Sequence, residues 1–112
     1  MIKRKDEAYL LQLVKSINTI SGEFNVKRGS NTLMDLDFKN VKFKNCTILG
    51  GDFCSSIFSN CTFDNVLFRD SALVGVTFDN CDFIKCKFSN VQASFSIKNC
   101  RVGGLIITQE SF

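Results

Sequence analysis

The chain has 112 residues, enough for one domain and too few for two hydrophobic cores. Its twelve Phe stand against one Tyr and no Trp, and it has neither Pro nor His, so the commonest general base and a favoured zinc ligand are both missing. Net charge is +3 and the excess is local: residues 1–34 hold six Lys/Arg against three Asp/Glu, whereas residues 35–112 hold eight of each, far from the basic stripe of a dedicated nucleic-acid binder.

At the N-terminus, Met1-Ile2-Lys3-Arg4-Lys5-Asp6-Glu7 has the charge of a secretory n-region. The apolar stretch after it is broken by Gln12, Lys15 and Ser16, and no small-residue cleavage site comes after. The expectation is a cytoplasmic chain with no signal peptide and no membrane span, its six Cys held as reduced thiols. Residues 6–20 read as a helix. Leu10, Leu13, Val14 and Ile17 make one apolar face with Ile20 just beyond, Asp6 or Glu7 suits the positive end of the helix dipole, and Gly22 lies past the end. The role of this helix depends on the segment it leads into.

Beyond residue 35 the chain is periodic. Nine Phe between residues 36 and 90 (38, 43, 53, 58, 63, 68, 78, 83 and 88) share one phase of a five-residue period, with Ile48 and Leu73 filling the two gaps. The odds of that by chance are well below ~1 in 10^5. A second column lies two residues earlier: Leu36, Val41, Cys46, Gly51, Ser56, Cys61, Val66, Ser71, Val76, Cys81, Cys86 and Val91, small or β-branched throughout apart from Leu36. Five matches neither the 3.6 of a helix nor the 2 of a long strand. It does match very short strands, each with two inward side chains, joined by tight turns. Asn40, Asn45, Asn60, Asn65, Asn80 and Asn90, with Gly50, Asp70 and Gly75, sit where those turns fall.

Stretches such as Cys61-Thr62-Phe63-Asp64-Asn65 and Cys81-Asp82-Phe83-Ile84-Lys85 resemble pentapeptide repeats of the Phe-centred, Cys-containing kind. The resemblance covers roughly residues 31–109. It implies an all-β solenoid, a right-handed quadrilateral β-helix with four pentapeptides to a coil and about four coils, behind a short N-terminal α-helix. Residues 20 apart should then stack, and Asn40, Asn60 and Asn80 fall in one such column, as do Val41, Cys61 and Cys81. The phase breaks once: Lys98 would occupy an interior slot, and a one-residue deletion around 92–95 restores the pattern as Phe95/Ile97, Cys100/Val102 and Leu105/Ile107. Upstream, Asn31/Leu33 reads as a first repeat, and Phe24/Val26 as a start separated from it by a Gly29-Ser30 insertion. Residues 31–112 are thus expected as the solenoid and 1–30 as a capping helix and connection, since the open end of a solenoid needs covering. A dimer contact and a membrane-surface role are the other readings of the helix.

The interior is expected to consist of Phe38, Phe43, Ile48, Phe53, Phe58, Phe63, Phe68, Leu73, Phe78, Phe83 and Phe88. Cys46, Cys61, Cys81, Cys86 and Cys100 fall in the small column and read as filler. No C-x-x-C occurs, and without His a zinc site would need four thiolates that this spacing does not gather, so no metal, cofactor or catalytic residue is assigned. Cys54 alone falls at an outward position and is the candidate reactive thiol. Carboxylates such as Asp64, Asp79 and Asp82 project from a convex rod with no cleft between them, so the chain is read as no enzyme.

Among outward positions Leu49, Ile57, Leu67, Ala72, Val74, Ile84 and Ile106 are apolar, and exposed apolar surface marks an interface. Column arithmetic puts Leu49, Leu67 and Ile106 on one face and Ala72 and Val74 on the next; these five are the candidate interface, unless the N-terminal helix folds back over them. The resemblance implies a protein partner. Members of the family bind DNA gyrase and topoisomerases with a rod that imitates duplex DNA, which implies an inhibitor or protector of such an enzyme. This repeat region is charge-neutral, where duplex DNA carries one charge per ~1.7 Å. The alternative is a scaffold module binding a host or effector protein, possible as a homodimer. Direct nucleic-acid binding through Lys3, Arg4, Lys5, Lys27, Arg28, Lys39, Lys42 and Lys44 is not expected, because the Phe that could stack on bases lie inside.

Overall fold

The five-residue period becomes a coil of twenty. The structure, a computed structural model, describes residues 6–16, 18–26 and 33–109. Its elements are α1 (Glu7–Ser16), β1 (Thr19–Asn25), β2 (Asp37–Lys39), β3 (Lys42–Leu49), β4 (Ile57–Ser59), β5 (Thr62–Arg69), β6 (Ala72–Asp79), β7 (Asp82–Ile84), β8 (Cys86–Lys98), β9 (Arg101–Val102) and β10 (Leu105–Gln109). Every strand pairing is parallel, and the registers define the sides of one rising coil. On the first side Phe38 pairs with Phe58, Phe58 with Phe78, and Phe78 with Ile97. The second runs Ile20, Phe43, Phe63, Phe83, Val102, and the third Phe24, Ile48, Phe68, Phe88, Ile107. Leu73 over Ala93, with a bridge from Asp52 to Ala72, makes the fourth. The molecule is a parallel β-solenoid of about four turns.

The corners explain the sequence of the turns. At the second residue after each side's centre the backbone enters the left-handed region, with φ from 52° to 63° at Asp35, Asn40, Asn45, Ser55, Asn60, Asn65, Asp70, Asn80, Lys85, Asn90 and Asn99. Asn and Asp tolerate that conformation best among non-glycine residues, and Gly50 and Gly75 occupy the same corner slot. Lys85 is the residue least suited to its place. At the Asn corners the amides also bond between coils: Asn65 Nδ2 donates to Asn45 Oδ1 at 2.9 Å, Asn90 Nδ2 to Asp70 Oδ1 at 2.7 Å, and Asn80 Nδ2 to Asn60 Oδ1.

Inside, the Phe rings stack at the spacing of the coils. Phe38 and Phe58 lie 4.6 Å apart and 9° from parallel, Phe43 and Phe63 are at 5.0 Å and 2°, and Phe63 and Phe83 at 5.2 Å and 8°. Neighbouring columns meet edge to face, as Phe63 does with Phe78 at 5.7 Å and 80°. All eleven centre positions from Phe38 to Phe88 are buried. Each such ring contributes about 2–3 kcal/mol by burial alone, with stacking added.

The deletion falls between Ser94 and Ser96. Val74 pairs with Ser94 twenty residues on, but Thr77 pairs with Ser96 only nineteen on. The backbone shows the same step: Asn60 N–H bonds to Asp79 O at 3.0 Å, whereas Asn80 N–H bonds to Lys98 O at 2.9 Å. Phe95 thereby lands in the small column and packs edge-on against Phe78 and Phe88.

The N-terminal end departs from expectation. The helix stops at Ser16 and not at residue 20, because Thr19 and Ile20 pair with Lys42 and Phe43. Gly22 is no helix cap: it lies in β1 with φ of 109°, where the register against β3 slips by one. The coil therefore begins at Thr19, before residue 31, with Phe24 over Ile48 and Val26 over Gly51. Asp6 caps α1 by accepting the Tyr9 N–H at 3.1 Å. Leu10 is buried, and Tyr9, Leu13 and Val14 pack on the core beside it, so the helix covers the N-terminal end of the column. Ile17 and the Gly29-Ser30-Asn31 stretch lie outside the described residues.

Two substitutions should move stability in opposite directions. Phe63→Ala, at the crossing of two ring columns, is expected to cost about 3–5 kcal/mol in urea unfolding. Lys85→Asn is expected to raise stability by about 1 kcal/mol by relieving the left-handed corner.

Candidate functional site

Three residues of each pentapeptide face outward, so any site must be read from columns twenty residues apart. The five candidate interface residues do not form one patch. Thr47, Leu67, Lys87 and Ile106 make a single column, with Lys87 between the two apolar residues. Leu49 lies diagonal to Leu67 and is stacked under Arg69; both leucines are half-buried. Ile106 is exposed, but on the last coil.

Ala72 is a correction. It is 4% exposed, a short side chain in register between the longer Asp52 and Gln92. It offers no interface.

Val74, 45% exposed, has a different neighbour from those expected. Its carbonyl accepts the Ser55 N–H at 3.0 Å, and Ser55 and Gly75 form the small corner beside it. Across that corner stands Ile57, 40% exposed. The pair is seventeen residues apart, three short of a coil, which is why column arithmetic at intervals of twenty separates them. Together with half-buried Cys54 and Thr77 they form an apolar corner.

At the opposite corner Asn45, Thr47, Asn65, Leu67, Lys85 and Lys87 line an open groove of about 370 Å³. Of the cations proposed from the sequence, Lys39, Lys42 and Lys44 stand exposed on the first full coil, while Lys3, Arg4, Lys5, Lys27 and Arg28 lie outside the described residues. Arg101 reaches Asp82 at 3.9 Å, both sides well exposed, so that pair adds little. Asp64 and Asp79 are half-buried on separate faces, and Asp82 shares the Asp64 face two positions out of register with it.

The cysteines work from inside. Cys61, Cys81, Cys86 and Cys100 each donate the S–H to the carbonyl of a centre residue on the coil before: Phe38, Phe58, Phe63 and Phe78, at 3.4, 3.2, 3.1 and 3.3 Å. Ser56 does the same to Leu33 at 2.7 Å. The small column is therefore a row of side-chain donors as well as filler, a role that burial arguments from the sequence missed. Burial alone pushes the Cys46 thiol up to about 12. Burial also raises Cys86 and Cys100. The neighbouring Cys61 thiol, together with burial, raises Cys81, while the same contact lowers Cys61. All six cysteines are free, and Cys54 is half-exposed. Among the described residues no three metal-ligating side chains converge, and no helix is long and apolar enough to cross a membrane.

Parallel coils of twenty residues, left-handed corners every fifth residue and a stacked Phe interior define a four-sided β-solenoid built from five-residue units. The family model for pentapeptide repeats (8 copies) matches residues 61–94, and the structure carries the same coil on both sides of that stretch. Residues 61–94 are thus similar to pentapeptide repeats, and the described column is consistent with the β-helix of such repeats. No curated protein matches the chain.

The thiols make stability depend on alkaline pH. Unfolded Cys46 ionises near 9, but the folded chain holds the proton up to about 12, so folding weakens as pH rises from 9 towards 12. Cys46→Val, which matches Val66 on the next coil, is expected to flatten that loss in unfolding midpoints measured across this range.

Proposed function

We propose that the chain is a non-enzymatic, cytoplasmic protein-binding rod that acts by covering a partner's surface. Its partner, in this reading, is an enzyme that works on nucleic acid, such as a topoisomerase, which it inhibits or protects. The observation that carries the binding role is the exposed apolar corner of Ile57 and Val74, held on a column whose interior is locked by stacked rings. Isolated exposed apolar residues are ordinary; two that flank the small Ser55/Gly75 corner offer an anchor with little to obstruct approach. The enzyme class rests on the family resemblance.

Charge sets the manner of binding. The column from residue 35 to 109 holds seven Asp and eight Lys/Arg, so it presents no acidic run to imitate a duplex. Shape and apolar contact are what this reading uses. A scaffold role toward a host or effector protein would use the same corner.

Capture from an extract of the native host, with mass spectrometry, tests the binding role. Ile57→Asp with Val74→Asp is expected to lower partner recovery at least about tenfold while the far-UV circular dichroism stays unchanged. Equal recovery would place the contact elsewhere. For the enzyme class, supercoiling by gyrase is expected to fall with the protein at micromolar concentration; no effect there, beside a captured partner of another kind, would favour the scaffold role.

A further inference from the structure

The corner between the second and third sides departs from the pattern of the others. Asn45 and Asn65 occupy it on two coils and their amides bond, but on the next coil the slot holds Lys85, with φ of 52°. A long basic side chain gains nothing from a left-handed corner that Asn, Asp or Gly fits better, and it ends the amide ladder. One coil further on the corner is Gly103-Gly104, which places no side chain over Lys85. A Cβ on Gly104 would stand only 3.1 Å from the Lys85 backbone nitrogen.

Charge at this corner is unbalanced. Lys85 and Lys87 are both exposed and line the same groove, on either side of the inward Cys86. Among the described residues no carboxylate comes within ion-pair distance of either, whereas Arg101 has Asp82 at 3.9 Å. The outward positions of the third side from β3 to β8 are Thr47, Leu49, Leu67, Arg69, Lys87 and Ser89, two cations and no acid. Asp64 is half-buried on the other side of the corner, in the column of Lys44 and Ile84.

We infer that this groove binds a phosphomonoester borne on a protein segment, its phosphate held by Lys85 and Lys87. Two ammonium groups match the charge of about −2 that such a phosphate carries at pH 7. Lysine supplies point charges without the planar fork by which arginine grips a carboxylate, so a tetrahedral anion suits the pair better than a planar one. The size of the groove argues for a carrier. Its volume of about 370 Å³ is more than one phosphate fills and falls at the low end of ligand clefts. It runs over two coil spacings, about 10 Å, from Asn45 and Thr47 to Lys85 and Lys87, with half-buried Leu67 between. Leu67 meets the carbon chain of the phosphorylated residue, and Asn45 and Thr47 offer hydrogen bonds to the peptide beside it. The site lies at the corner opposite Ile57 and Val74 and does not rest on the reading proposed for them.

Titration of the isotope-labelled full chain with a phosphoserine pentapeptide, followed by amide NMR, tests this. The peptide is expected to move the Asn65, Lys85 and Lys87 signals. It should bind at least about tenfold more tightly than the same peptide with glutamate or unmodified serine. Inorganic phosphate, without a carrier, is expected to bind about tenfold more weakly than the phosphopeptide. Lys85→Asn is expected to weaken the phosphopeptide about threefold while its unfolding midpoint rises, which separates lost binding from lost fold. Lys85→Asn with Lys87→Ala should lose at least about tenfold. Lys39→Ala with Lys98→Ala removes as much charge from exposed positions on the first side, and should leave affinity within about twofold. Equal binding of the glutamate peptide or of inorganic phosphate would overturn the proposal. So would a loss in the Lys39/Lys98 variant as large as in the Lys85/Lys87 one, or tighter binding of a short DNA duplex at the same amides. No signal shift at about 10 mM phosphopeptide would also overturn it.

Discussion

A chain returns to its own starting point after twenty residues only if it turns the same way every fifth residue, and the left-handed corner is what enforces this. Asn and Asp take the non-glycine corners for the most part because their short polar side chains tolerate φ near 55°. Once the corner recurs, the residue two before it always points inward, and successive coils place these residues one above another at the strand spacing. Phe then stacks on Phe, and the amides that make the corner bond to the amides of the next coil. Backbone conformation, core and outer surface are consequences of one repeated dihedral angle.

Most of this was legible because the signal recurs. Nine Phe in one phase leave no other period available, and Lys98 in an interior slot forces a deletion to within a few residues of where it lies. The first coil was legible only at Phe24/Val26, because its spacing is irregular: Ile20 and Phe24 are four apart, with a slip at Gly22, so they sit out of phase with everything after them. The end of α1 was hidden for the same reason, since Thr19 and Ile20 suit a helix locally but pair with β3 in the fold. The candidate surface was read less well than the core. Column arithmetic ranks residues by position, yet exposure also depends on side-chain length and surroundings: the short Ala72 is closed and Val74 is open. Ile57 and Val74 flank one corner on successive coils, seventeen residues apart, so an interval of twenty does not bring them together.

The small column shows how economical the interior is. A thiol or hydroxyl there occupies little volume beside the Phe rings and still bonds to a carbonyl one coil below. Valine at the same positions packs but makes no such bond. The alternation of Cys, Ser and Val along the column thus distributes inter-coil bonds unevenly, and burial makes Cys46 a poor nucleophile because its thiolate is disfavoured. Half-exposed Cys54 is the exception by position, as an outward residue.

The missing residue between Ser94 and Ser96 has a further consequence, for folding. A column of near-equivalent five-residue units can in principle wind with any side shifted onto its neighbour, since Phe meets Phe in each arrangement and register between similar strands is weakly specified. A flaw in the period breaks that degeneracy. Phe95 finds room in the small column only where the coil is one residue short, and a shifted winding would bring a charged or bulky side chain inside. The slip at Gly22 marks the opposite end in the same way. The irregularities act as phase marks, telling a repetitive chain which of its many similar windings is the native one.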